Sequence, residues 1–173
     1  FETIVASGPR GALAHARPSG RILRGAAVVD WGVARGGYNS DTSRTLALGR
    51  TPSVLRRAHR VVLEAQERAL EKIEPGVGAG ELDGAAREVI EKAGFGPNFG
   101  HGLGHGVGME VHERPRIGRG SREVIEEGMV FTVEPGIYIP GEGGVRVEDM
   151  VLVTGHGPEM LTTLPRSMDP SDY

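Results

Sequence analysis

Between residues 51 and 74, apolar side chains recur at Leu55, Ala58, Val62, Ala65 and Ala69, alternating three and four positions apart. That spacing predicts an amphipathic helix with one apolar stripe. Thr51 is placed to cap it and Pro52 suits its first turn. After PGVGAG a second helix is predicted, with Leu82, Ala86, Val89, Ile90 and Ala93 on one face and Gly94 as its stop. The charges on both helices read as solvated outer faces, so both helices read as scaffold. Elsewhere the pattern changes to short apolar or β-branched runs, AAVVDWGV, YNSDTSRTLAL, MVFTVEPGIYI and VRVEDMVLV, separated by glycine-rich turns. These predict antiparallel hairpins, and the order strands, two helices, strands predicts an α+β fold.

The length of 173 residues suits one domain, and no repeat, low-complexity tract or interdomain linker interrupts it. The absence of cysteine removes thiolate catalysis and Cys-ligated zinc, and is compatible with a cytoplasmic, reducing setting. A net charge of −3 offers no basic footprint for nucleic acid. No apolar run approaches the ~20 residues of a membrane span, and Phe1 does not open a signal peptide. The 28 glycines are about twice the usual ~7% share, which predicts tight turns and close backbone approaches. FETIVASG opens in mid-pattern without methionine, so the chain reads as a fragment or a processed product.

Two hairpins each bring two acids together. With a two-residue turn at Arg35-Gly36, residues whose numbers sum to 71 face each other, which pairs Asp30 with Asp41 at a Cβ separation of ~5 Å. A three-residue turn at Pro140 to Glu142 pairs residues summing to 282, among them Glu134 and Glu148. Like charges opposed on a sheet are destabilising, and Val29, Trp31, Val133 and Val147 beside them would strip hydration on burial. Bound divalent cations would compensate; outward-facing, solvated pairs are the other arrangement these registers allow.

HGLGHGVGMEVHE, residues 101 to 113, alternates glycine with His101, Leu103, His105, Val107 and Met109. Glycine at every second position costs a helix about 1 kcal/mol each relative to alanine, so the segment is predicted extended or looping rather than a helical zinc motif. In a straight strand His101 and His105 would stand ~13 Å apart, too far to share one ion. One ligand plus pocket histidines is the arrangement this predicts, while His59 and His156 read as structural or surface residues. Four carboxylates and an imidazole suit Mn, Fe, Co or Zn in a dinuclear site better than a closed structural zinc site.

From about Phe1 to Leu164 the chain resembles the pita-bread metallopeptidases, the family of methionine aminopeptidase, aminopeptidase P and prolidase. HGLGHGVGMEVHE matches the proline-peptidase signature, and DWG, YNSDTSRT, TVEPGIY and GGVRVEDMVLVT stand around it in the family's order. The resemblance implies a curved, mostly antiparallel sheet with helices on its outer face. It implies metal ligation by Asp30, Asp41, His105, Glu134 and Glu148, with Asp41 and Glu148 bridging two divalent ions, Asp30 on one side, and His105 with Glu134 on the other. It assigns His112 to the substrate carbonyl, Glu134 to proton transfer, His15 to the pocket near the scissile bond, and His101 and Arg146 to further pocket contacts.

The implied reaction is attack by a metal-bridging hydroxide on an N-terminal Xaa-Pro bond, in peptides with proline at the second position or in Xaa-Pro dipeptides. Arg114, Arg116, Arg119 and Arg122 all follow the histidines, and spacing selects none of them to hold a dipeptide carboxylate. A creatinase-like hydrolase and a noncatalytic peptide- or protein-binding module are the alternatives the family contains; the intact ligand set stands against both. Residues 1–173 read as the catalytic domain without the helices and the separate N-terminal domain that usually precede it, an expectation under which one sheet face would be exposed. A homodimer belongs to the expectations for the full-length protein.

Overall fold

The computed structural model describes residues 1–173. The first helix, α1 (Ser53–Leu70), buries Leu55, Ala58, Val62, Ala65 and Ala69, the stripe set by the three-four spacing. Thr51 does not cap it: Pro52 holds the N-cap position and the Thr51 hydroxyl turns back to the Gly49 carbonyl. The second helix, α2 (Ala79–Lys92), ends where Gly94 takes a left-handed φ of +84° that a side chain would strain. Neither helix is long and apolar enough to cross a membrane. The two helices pack against each other and against the sheets, with Leu82 and Ile90 of the second helix in one core cluster with Phe131 of a strand.

All strand pairs are antiparallel. In the first sheet, β2 (Gly25–Trp31) lies between β1 (Ile4–Ser7) and β5 (Thr42–Leu48). A small hairpin of β3 (Ala34–Arg35) and β4 (Tyr38–Asn39) extends from β2 and β5. The second sheet contains β6 (Gly104–Gly106), β7 (Glu113–Ile117), β8 (Val130–Val133), β11 (Asp149–Thr154) and β12 (Gly157–Met160), in the spatial order β12-β11-β8-β6-β7. Between the sheets runs a ribbon of β9 (Gly136–Ile139) and β10 (Gly143–Arg146), and a single bridge, Ser43 to Glu148, joins β5 to this region.

The two acid hairpins differ in how well their register is anticipated. The predicted sum of 282 holds on both sides of the Glu134 and Glu148 pair, from Ile139 opposite Gly143 to Val133 opposite Asp149. The first hairpin slips: its turn is Gly36-Gly37, both at positive φ, and its partners sum to 73, so Asp30 faces Ser43 rather than Asp41. Two glycines favour the left-handed pair of turn conformations more than Arg-Gly does, and they moved the turn by one residue.

Candidate metal centre

Asp41, Glu134 and Glu148 sit where strand ladders break. Asp41 falls between β4 and β5, Glu134 between β8 and β9, and Glu148 between β10 and β11. A side chain at such a break is not held perpendicular to a regular sheet, and these converge with Asp30 of β2 and His105 of β6. Ligand atoms of Asp30, Asp41 and Glu148 lie within 4.8 Å of one another; so do those of His105, Glu134 and Glu148, and of Asp41, His105 and His112. Asp30 and Asp41 therefore meet despite the slipped register. Gly32 makes this possible, because its backbone passes so close to Ser40 that a Cβ would lie 3.0 Å from the Ser40 carbonyl carbon and still closer to its oxygen.

The converged groups are desolvated and mostly negative. Asp30 is 8% exposed, Asp41 5% and Glu148 2%, and the Oδ1 atoms of both aspartates are buried without a hydrogen-bond partner. Burial, followed by the Asp30 and Glu134 charges, pushes Asp41 up to about 7. Burial and then the Glu134 and Asp41 charges raise Glu148 well above the carboxylate range. For Glu134, burial acts upward, but the His105 hydrogen bond and the charges around it outweigh that and hold the carboxyl low. His105 is affected in the opposite sense: burial disfavours its cation, yet Glu134, 3.2 Å from Nε2, raises its pKa. A proton is thus drawn to the space that four carboxylates enclose, as a metal cation would be.

Hydrogen bonds aim the donors. His105 Nδ1 faces the Gly106 carbonyl at 3.1 Å, a contact that calls for a proton on Nδ1, so Nε2, which meets Glu134 at 3.2 Å, is the nitrogen that would release its proton and turn its lone pair to a metal ion. The Ser43 hydroxyl donates to Glu148 Oε2 at 2.5 Å, and Thr132 Oγ1 joins the His105 N–H to Glu134 Oε1. Buried unpartnered oxygens, several converging carboxylates and an imidazole oriented by a backbone carbonyl at Nδ1 all fit a divalent-metal site.

The expected pocket residues divide. A cavity of about 570 Å³ opens over the acids, and His15, His101, His112 and Arg146 all border it. The His112 ring lies 4.1 Å from that of His105, and burial followed by the His105 charge lowers its pKa. His101 lines the wall with both ring nitrogens engaged: Nδ1 faces the Gly102 carbonyl at 2.7 Å and Nε2 the Tyr138 hydroxyl at 3.1 Å. Arg146 is only 3% exposed, and its guanidinium is committed to Asp30, the Ser43 hydroxyl, Tyr138 Oη and the Ala14 carbonyl. It borders the pocket as part of its floor, with its guanidinium already engaged by these partners. Of the four arginines after the histidines, Arg116 alone borders the cavity, opposite His105 in the β6 and β7 register.

Sequence reasoning missed the supports. Gln66 is fully buried, and its amide donates to the Val133 carbonyl at 2.9 Å and to Asp149 Oδ2 at 3.0 Å, beside the ladder break. Arg44 reaches the Glu148 carbonyl and Asp149 from the other side. Gln66 had a signal, a polar residue inside the phase of Val62, Ala69 and Ile73; Arg44 had none in its own strand.

Residues 1–155 match the model of metallopeptidase family M24, and the chain belongs to that family. It is 51% identical over 170 residues to the Xaa-Pro dipeptidase of Pyrococcus furiosus, covering 97% of this chain and 49% of that protein. Among solved structures it is similar to the prolidase of Pyrococcus horikoshii (48% identity, TM-score 0.94, 97% of this chain and 49% of that one). It is similar also to the X-Pro aminopeptidase of Thermotoga maritima (47% identity, TM-score 0.93, 96% and 48%). The fold is the pita-bread α+β architecture, and the chain spans about half the length of the curated relatives it matches.

Proposed function

We propose that this chain carries the catalytic centre of a dinuclear metallopeptidase that cleaves the Xaa-Pro bond, with Xaa-Pro dipeptides as the favoured substrates. The observation that carries the reading is the convergence of Asp30, Asp41, His105, Glu134 and Glu148 at one cavity, with carboxylate oxygens left unpartnered. The grouping of donors supports two ions. Glu148 belongs both to a set with Asp30 and Asp41 and to a set with His105 and Glu134, while Asp41 reaches towards His105 at 3.7 Å. Mn, Co, Fe and Zn all suit such a donor set. Bound there, divalent ions supply Lewis acidity and bring hydroxide within reach of neutral pH.

The chain's own groups do the rest. His112, uncharged near neutrality, donates a hydrogen bond to the oxygen that develops negative charge. Glu134, kept ionised, accepts a proton from the attacking water and passes it to the leaving nitrogen; a prolyl nitrogen carries no hydrogen in the substrate, so this proton is required. His15 and His101 border the substrate, and Arg116 offers the cation that a dipeptide's free carboxylate needs. The dipeptidase reading rests on Arg116 and on the dipeptidases among the relatives.

A panel of Xaa-Pro dipeptides, Xaa-Pro tripeptides and Met-Ala peptides, run with Mn, Co and Zn on the full-length protein, tests it. Preference for dipeptides is expected, with kcat lost in Glu134→Gln and lowered about 10²-fold in His112→Ala. Preference for tripeptides would move the assignment to an aminopeptidase, and preference for Met-Ala would remove proline from it. Tight metal binding without cleavage of any peptide would favour a binding module.

A further inference from the structure

The loop that carries His101 has no strand of its own. Pairing in β6 begins only at Gly104, yet His101 and Gly102, just before it, line the cavity. Three backbone groups of residues 99 to 103 are held by a single pair of side chains on α2, the helix whose charges read as solvated surface. Asp83 is 1% exposed and clasps Arg87 through two 2.9 Å bonds, Nε to Oδ2 and Nη2 to Oδ1. Asp83 Oδ1 also accepts the Leu103 N–H at 3.0 Å. The Arg87 guanidinium donates to the Phe99 carbonyl at 2.9 Å and to the His101 carbonyl at 2.8 Å. It also lies 4.1 Å over the Phe99 ring, which meets the His101 ring edge-on at 5.1 Å.

Phe99, His101 and Leu103 each give α2 a backbone group, along a segment that bends at His101 and at Leu103. Gly102 faces the other way against β7, where a Cβ would stand 2.8 Å from the Ile117 carbonyl oxygen. The loop is thus gripped from both sides, and the grip passes on: the Leu103 carbonyl accepts the Glu134 N–H at 2.8 Å.

We infer that Asp83 and Arg87 form a positioning unit, setting the backbone of residues 99 to 103 and through it His101 and Glu134. A buried ion pair gains little over apolar packing of the same volume, so stability alone gives no reason to bury one here. A planar guanidinium can hold a carboxylate and two carbonyls at once; an ammonium cannot.

The consequence for catalysis rests on the peptidase reading, but the positioning does not. In the full-length protein, Arg87→Lys keeps the charge beside Asp83 and loses the fork, and Asp83→Asn is the second variant should the first fail to fold. Hydrogen exchange at the Leu103 and Glu134 amides is expected to speed up about tenfold or more, with β2 and β5 unchanged. Mn²⁺ affinity by calorimetry, and kcat/KM on an Xaa-Pro dipeptide measured well below each melting point, are expected to fall about 10–100-fold. A variant that melts earlier yet keeps wild-type exchange at those amides, wild-type Mn²⁺ affinity and wild-type kcat/KM overturns the inference. If the wild type cleaves no Xaa-Pro peptide, the functional reading fails, while exchange and Mn²⁺ affinity still decide the positioning.

Discussion

Gly104→Ala adds one methyl group to the histidine run, and the structure gives it no room. A Cβ at residue 104 would stand 2.7 Å from the Thr132 carbonyl carbon and 2.9 Å from Thr132 Oγ1, and closer still to the carbonyl oxygen. Ordinary contact needs ~3.5 Å or more, so β6 and β8 must separate by about 1 Å. The obstruction is backbone and cannot rotate away. Overpacking of this kind costs about 1–3 kcal/mol, and the displaced strand also weakens the bond from the His105 N–H to Thr132 Oγ1, worth about 1 kcal/mol more. A total of about 3 kcal/mol lowers the melting temperature by several degrees. The same shift moves His105 relative to Glu134 and Glu148, so Mn²⁺ affinity should fall as well. Calorimetric melting and Mn²⁺ titration of the full-length variant measure both, with Gly100→Ala as control, since nothing lies within 4 Å of its Cβ position. If Gly104→Ala melts within about 1 °C of wild type and binds Mn²⁺ equally well, the packing explanation of the alternating glycines is wrong.

Other outcomes follow from the same geometry. Gln66→Leu removes the donor to the Val133 carbonyl and to Asp149, at a cost of about 1–3 kcal/mol on thermal unfolding; an unchanged melting point would deny Gln66 a supporting role. Burial depresses His59 from 6.5 to about 4, so the unfolded chain binds the extra proton first. Stability should be complete above pH 6.5 and fall by roughly 3 kcal/mol as pH drops towards 4, an arm that His59→Leu removes in denaturant titrations across that range. Asp41 shifts the other way: with its carboxyl raised to about 7, the metal-free fold loses stability as pH rises from about 4 through 7. Mn²⁺ binding near neutral pH should then expel protons from the raised groups of the cluster, Asp41 and Glu148 among them, as calorimetry in buffers of different ionisation enthalpy would record; no proton release would refute it. Gly84→Ala, in open space inside α2, should raise the melting temperature by about 2–4 °C.

The sequence by itself determined the elements and the donors. A 3.6-residue period outlines a helix wherever its face is buried, and the stripe from Leu55 to Ala69 did so for α1. Glycine at alternate positions excludes a helix whatever surrounds it, so the histidine run had to be extended or looping, and it is both: strand at Gly104–Gly106 and bends on either side. The register of the Glu134 and Glu148 hairpin was legible because proline and two glycines restrict where that turn can fall, whereas Arg35-Gly36-Gly37 allowed two turns and the choice between them needed the sheet.

Only the tertiary structure decided how far each side chain travels. Burial belongs to a surface made by several elements, so no local pattern shows that Arg146 is consumed beneath the acids while Arg116 faces the cavity. Asp83 and Arg87 carry the spacing of an ordinary solvated pair on α2, and it is the approach of Phe99, His101 and Leu103 that turns them inward. The acids themselves meet where the ladders break, and a break is a competition among strands distant in sequence. The residues that converge on the site are written along the chain; the reason they can stay together, desolvated and like-charged, lies in the partners that the fold brings to them.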